Sequence, residues 1–212
     1  MKGKFYLLNK ISSAGASLKA KPPPKHHYKA MLSAKEKKEI LQITRNWVET
    51  FIIGLNLCPF AKVPYEKNAV RFVIGEAKTM KGFLEIFARE IEFLEKNPTT
   101  ETTLVILPAL GKIELFQAFM QFCEEMIILN AWIQKYQIVS FHPLMRFEGI
   151  PTDSPQQLTG IAPYPILHIL RVPSVESLGA QIKKDVQAEN DKKLSQLAKE
   201  DVKKLWEKVL RK

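Results

Sequence analysis

The run Thr102-Thr103-Leu104-Val105-Ile106-Leu107, closed by Pro108, constrains the fold more than any other stretch. It is rich in β-branched residues and lacks polar alternation, so it reads as a strand buried on both faces. Helical patterns lie on either side of it. Phe83, Leu84, Phe87, Ile91 and Leu94 mark one apolar face, which ends at Asn97-Pro98. Phe116, Phe119, Met120, Cys123 and Ile127 mark another.

Three more strands are predicted, over residues 69–74, 136–141 and 166–172, each an apolar run bounded by turn residues. Ser33 and Glu36 form a capping-box signature, and Ile40, Ile43, Trp47, Val48, Phe51 and Ile52 continue it into a helix over about 34–53. Gly54 is expected to close that helix in the left-handed conformation. Pro173-Ser174 is expected to start a further helix, with Ser174 as its N-cap, and Leu194, Leu197, Val202, Leu205 and Val209 trace an amphipathic terminal helix. The order α-β-α-β-α-β-β-α-α predicts an α/β fold: a small mixed sheet of about four strands with helices packed on it, plus an amphipathic C-terminal helix. The direct step from the third to the fourth strand favours an antiparallel pair. The expected organisation is a disordered basic leader over 1–32, a single α/β domain over 33–189, and the C-terminal helix over 190–212.

Composition excludes several classes. Of the 212 residues, 46% are hydrophobic and 25% charged, which rules out wholesale disorder and a collagen-like chain. No apolar run approaches the roughly 20 residues that span a bilayer. Two cysteines make no disulfide framework, so a reducing compartment, the cytoplasm, is expected. An organellar matrix is the alternative if residues 1–32 are a transit peptide. The formal charge of +10 is concentrated at the ends. Residues 1–35 hold eight lysines and no acid, residues 181–212 hold ten basic and six acidic residues, and the middle holds 14 basic and 16 acidic. A weak polyanion contact is therefore expected only through the basic termini.

No nucleotide-loop, zinc-ligand or nucleophile-elbow motif is present, and no cofactor is indicated. Chemistry then rests on reactive side chains near element ends. Cys58, before Pro59, has two readings: an N-cap thiol biased toward thiolate, or a small apolar residue. Cys123 lies on an apolar helix face and reads as core. His142 ends the third strand and suits a general base or a metal ligand, or a hydrogen-bonded structural role. His168 is embedded in the fourth strand, catalytic or a satisfied core histidine. Tyr164 and Arg171 are substrate-binding candidates, Arg171 as an anion anchor, although alternation places it opposite His168. Arg146 reads as a surface ion-pair partner, and Asp153 is too isolated for an acid/base pair. No tight metal-ligand spacing exists.

Several strings taken in order resemble a known family: Gly54-Leu55-Asn56-Leu57-Cys58-Pro59-Phe60-Ala61, Glu101-Thr102-Thr103-Leu104, Ser140-Phe141-His142-Pro143, and Pro163-Tyr164-Pro165 with Leu167-His168 and Leu170-Arg171. Over roughly 38–190 the chain resembles domain of unknown function 1415. The resemblance implies a shared fold and a shared pocket but no reaction. Departures fall at polar positions of that pattern. Gly160-Ile161-Ala162 stands for Asn-Arg-Ser, Leu144 for Asp, Val172 for Glu, and Leu107 for His.

Two functions compete. One is a small enzyme acting on a small anionic substrate in a pocket of Cys58, His142, His168, Tyr164 and Arg171. The other is a non-catalytic binding or interaction protein that uses its basic termini, a diverged inactive family member.

Overall fold

The computed structural model describes residues 32–179 and 185–211; most of the expected leader lies outside them. Helix α1 (Ala34–Trp47) runs into a π-helical turn (Val48–Ile53), followed by α2 (Lys62–Glu66). Then come β1 (Val70–Ile74), α3 (Met80–Lys96), β2 (Thr102–Ile106), α4 (Ile113–Leu129), β3 (Tyr136–Phe141) and β4 (Ile166–Arg171). Helices α5 (Val172–Gly179), α6 (Val186–Ser195) and α7 (Lys199–Val209) complete the chain.

The mixed four-stranded sheet has the order β1-β2-β4-β3. β1 and β2 are parallel, as a strand–helix–strand unit requires, whereas β4 is antiparallel to both β2 and β3. β4 thus turns back into the gap between β2 and β3. Every residue of β2 is buried, in line with its unbroken apolar sequence.

Alternation along the two central strands divides the interior into two cores. Leu104, Ile106 and Ile166 face α1, the π turn and α7, where Ile40, Trp47, Phe51 and Trp206 are buried. Val105, Leu107, Leu167 and Ile169 face α3 and α4, where Phe83, Phe87, Phe116 and Phe119 are buried. Most buried polar side chains of these cores are paired; the Thr103 hydroxyl and the Asn190 Oδ1 have no partner among the described residues. The Trp47 indole donates to the Ile161 carbonyl at 3.1 Å, and Arg71 Nε meets the buried Glu90 carboxylate at 2.8 Å.

Four boundaries differ from expectation. The terminal amphipathic stretch is two helices, α6 and α7, and both enter the first core through Leu194, Val202, Trp206 and Val209. α5 begins at Val172, and Ser174 does not cap it; its hydroxyl donates to Glu101 Oε2. The helix over 34–53 is present, but its last six residues are π-helical. The extra residue in that turn lets the adjacent Trp47 and Val48, as well as Phe51, all reach the core.

Gly54 is the fourth difference. Its backbone is right-handed (φ −62°), and its N–H reaches back to the Glu49 carbonyl at 2.9 Å. Glycine is needed for space rather than for handedness. A Cβ there would sit 2.5 Å from the Thr50 carbonyl oxygen and 2.9 Å from that of Glu49. In an ordinary helix, glycine-to-alanine gains about 0.5–1 kcal/mol. Gly54→Ala is expected to lose about 1–3 kcal/mol instead, the cost of forcing atoms into a filled space. Urea unfolding measures the sign, and a stabilised variant would refute this account of the turn.

Candidate functional site

The five side chains proposed from sequence do not converge. His168 lies on the α1/α7 face of β4, beside Leu104 and Val139. Its Nε2 is 2.6 Å from the Thr102 hydroxyl, and that hydroxyl is also 2.6 Å from the Ile169 carbonyl. The hydroxyl has one proton, and the carbonyl can only accept. The ring must therefore donate from Nε2, which fixes a neutral tautomer. Burial of the ring lowers its pKa to about 4.

His142 lies on the other side of the sheet. Its ring packs against Phe116 of α4 with centroids 5.2 Å apart. Nδ1 accepts the Leu144 N–H at 3.0 Å, which leaves Nε2–H to donate to the Leu110 carbonyl at 3.1 Å. Both nitrogens are thus engaged by backbone, and burial lowers the pKa to about 4. To act as a base or ligand, this ring would have to release a backbone partner.

Arg171 shares that side of the sheet. Its guanidinium donates to the carbonyls of Thr100, Leu94 and Asn97, and so closes the C-terminal end of α3. Its fork is occupied by the fold. Tyr164 is buried in the first core, and burial, with the Glu39 charge as a smaller cause, raises its phenol to about 12.

Cys58 precedes a turn whose Phe60 and Ala61 amides favour the thiolate, but burial outweighs them and the thiol pKa is raised. The N-cap geometry expected at Cys58 exists only as that turn, because α2 starts after Ala61. Cys123 is fully buried beside Phe119 and Met120, as its sequence position implied.

Two of the positions at which the chain departs from the resembled pattern, Gly160 and Leu144, bond His142, whereas Ile161 and Ala162 lie in the first core and Val172 opens α5 at the far end of β4. The Gly160 carbonyl accepts the His142 N–H at 3.0 Å, and Leu144 supplies the amide on Nδ1. Leu107, Ile161 and Ala162 are buried. A Cβ on Gly160 would lie 2.7 Å from both Met145 Sδ and Phe147 Cζ, so a larger residue is excluded without repacking.

What the surface does offer is a depression of about 200 Å³ at the edge of the sheet, lined by Arg45, Tyr65, Asn68, Val70 and Phe72. Arg45 extends from the last turn of α1, and its guanidinium carbon lies 4.2 Å from the centre of the Phe72 ring. Tyr65 packs edge-on to Phe72 at 6.4 Å. The Tyr65 hydroxyl donates to Glu49 Oε1, and burial together with that carboxylate raises its pKa to about 12. Asn68 holds a left-handed backbone (φ 54°) at the turn into β1. Among the described residues Arg45 has no carboxylate at ion-pair distance. No nucleophile–base motif marks this cluster in the sequence. The available signal was the Arg45/Glu49 spacing at a helix end, followed by an aromatic in the next element.

Among the described residues no helix is long and apolar enough to cross a membrane. No three His, Cys, Asp or Glu there gather as a metal site would require. The family model described as "Protein of unknown function (DUF1415)" matches residues 39–204. The chain belongs to this family. The match takes in the whole sheet, the depression and most of α7. Neither the curated proteins nor the solved structures yield a match.

The two histidines make stability depend on acid. Each has a folded pKa near 4, below the ordinary 6.5, so between these values the unfolded chain binds more protons and stability falls as pH falls. Each contributes about 3 kcal/mol of loss across that window. Urea unfolding from pH 6.5 to 4.5 should show the decline. His142→Gln, which does not titrate, should flatten it by about half relative to its own value at pH 6.5. An unchanged slope would refute the neutral buried assignment.

Proposed function

We propose that this family member is a non-catalytic binding protein whose edge depression takes a small anionic ligand. The observation that carries the reading is Arg45. Its guanidinium carbon lies over the Phe72 ring, and no carboxylate lies at ion-pair distance from it among the described residues. The guanidinium is hydrogen-bonded to the Tyr65 hydroxyl, and its remaining N–H donors can meet a carboxylate or phosphate. The nearby Glu49 carboxylate accepts a hydrogen bond from the Tyr65 hydroxyl, so the phenol braces the wall of the depression. The volume sits below the usual range for drug-sized ligands, so the occupant is small. Val70 and Phe72 add apolar contacts to a lining whose exposed surface is mainly polar, which suits a small charged ligand.

The catalytic reading has weaker support. Cys58, His142 and His168 do not form one cluster, and the two histidines sit on opposite faces of the sheet with their Nε2 protons committed. Gly160 and Leu144 stand beside His142 where the resembled pattern has polar residues, which agrees with a diverged member. Polyanion contact through the termini concerns residues mostly outside those described, and nothing in the sheet bears on it.

Titration with benzoate and with inorganic phosphate, followed by amide chemical shifts, tests the site. The expected result is saturable shifts at Asn68, Val70 and the Arg45 Nε–H. Arg45→Gln should weaken binding about tenfold or more, the value of one charge-assisted hydrogen bond pair. Shifts spread over lysine-rich surfaces and indifferent to Arg45→Gln would overturn the assignment.

A further inference from the structure

β1 ends the sheet on one side, and its outer margin is open. The Ala69 carbonyl accepts the Glu101 N–H, and the Gly75 N–H donates to the Ile106 carbonyl, both on the β2 side. Backbone groups along a strand alternate in direction, so the odd-numbered residues face β2. Val70, Phe72 and Ile74 therefore turn their N–H and C=O groups outward. Among the described residues none of these groups has a hydrogen-bond partner. All three residues are only half-buried, so the margin meets solvent.

The same strand lines the Arg45 depression through Val70 and Phe72. The Arg45 guanidinium carbon lies 4.2 Å from the centre of the Phe72 ring. A strand added to this margin would deliver a side chain to that guanidinium. In antiparallel pairing, the more stable kind, Phe72 and the residue opposite exchange both backbone hydrogen bonds. Their Cα atoms are then about 5.5 Å apart and their side chains share a face. An aspartate or glutamate opposite Phe72 stands beside Arg45. Apolar residues two positions to either side stand beside Val70 and Ile74.

Charge identifies the occupant. Residues 62–74 hold Lys62, Lys67 and Arg71 against Glu66 alone. Across the depression, Glu49 is engaged by the Tyr65 hydroxyl. The margin is basic and calls for an acidic segment. A second copy fits poorly. Pairing β1 with β1 about Phe72 keeps like faces together and sets the two Arg45 side chains against each other. We propose that β1 accepts an extended acidic segment of a partner protein as an added strand, with one carboxylate side chain on Arg45. This rests on the anion-binding reading of Arg45 and adds the strand margin as a second recognition element. Main-chain pairing supplies affinity, and the depression selects an acid at one position.

A capped seven-residue peptide tests this on the full chain. It has a central glutamate, a valine two residues away on each side, and threonines elsewhere. Hydrogen exchange of individual amides is followed with and without the peptide. The Val70, Phe72 and Ile74 amides should exchange about tenfold more slowly at a peptide concentration about ten times its Kd. N-methylation of the central glutamate removes the N–H that meets the Phe72 carbonyl, and should weaken binding about tenfold. Replacing that glutamate with glutamine should weaken it by a similar factor, about tenfold, and Arg45→Gln should make the two peptides bind alike. The peptide changes leave the protein itself intact. Benzoate shifts at Asn68 and Val70 without protection of Phe72 and Ile74 by the peptide would overturn strand addition and leave the anion site standing. Absence of both would remove both readings. Equal protection by the N-methylated peptide, or protection of β1 that rises with protein concentration alone, would also overturn the proposal.

Discussion

Burial of β2 and β4 on both faces is the constraint from which the rest follows. Side chains on these strands alternate strictly between two cores, so neighbours in sequence are separated by the thickness of the sheet. A polar residue on either strand must find its partner within its own layer. Thr102 and His168 do so across the strand pair, and Arg171 does so by reaching into the carbonyls that end α3. The Thr103 hydroxyl, buried on β2 with no partner, is the exception among the described residues near the sheet centre. A satisfied polar group inside such a layer stabilises and specifies the packing, but its donors and acceptors are then used up.

That constraint explains what was legible from the residues. Unbroken apolar runs and β-branched composition located all four strands to within a residue or two, and helix-period spacing located α1, α3 and α4. Single-strand alternation even placed Arg171 opposite His168. What could not be read was the insertion of β4 between β2 and β3, which depends on how the loop over residues 144–163 returns the chain. His142 follows Phe141, and once Phe141 is paired with Ile166 its ring must point into the α3/α4 core. The convergence of reactive residues failed for that reason. The π turn was hidden for a different one: Ile40 to Ile52 satisfy a helical period well enough that one extra residue per turn leaves no mark on the pattern.

The same geometry decides where a ligand site can exist. The sheet centre is filled from both sides and the His142 end is closed by Gly160, Leu144 and Leu110. The edge remains. β1 is an edge strand, and edge strands need protection from further pairing. Arginines lie over both of its faces. Arg71 projects to the α3 side, with its guanidinium carbon 3.9 Å from the Phe93 ring centre, and Arg45 reaches across from α1 to Phe72. Both stems cover aromatic surface that β1 would otherwise expose.

The two stacks differ in one respect, and the difference is chemical. Arg71 meets Glu90, a carboxylate only 1% exposed, so its charge is matched within the fold. Removing either partner of that pair would strand a charge in a dry layer, which makes it a structural fixture. Arg45 has the same posture on an aromatic ring but no matching carboxylate at ion-pair distance among the described residues, and Glu49, the nearest candidate on its own helix, is engaged by Tyr65. Protection of the strand edge alone would be served by either arrangement. A guanidinium bonded to a phenol rather than to a carboxylate, and opening onto a depression with a mainly polar lining, is surplus to that purpose. The contrast between the two faces of one strand is therefore the strongest physical argument that the Arg45 side is shaped for something that arrives from solution.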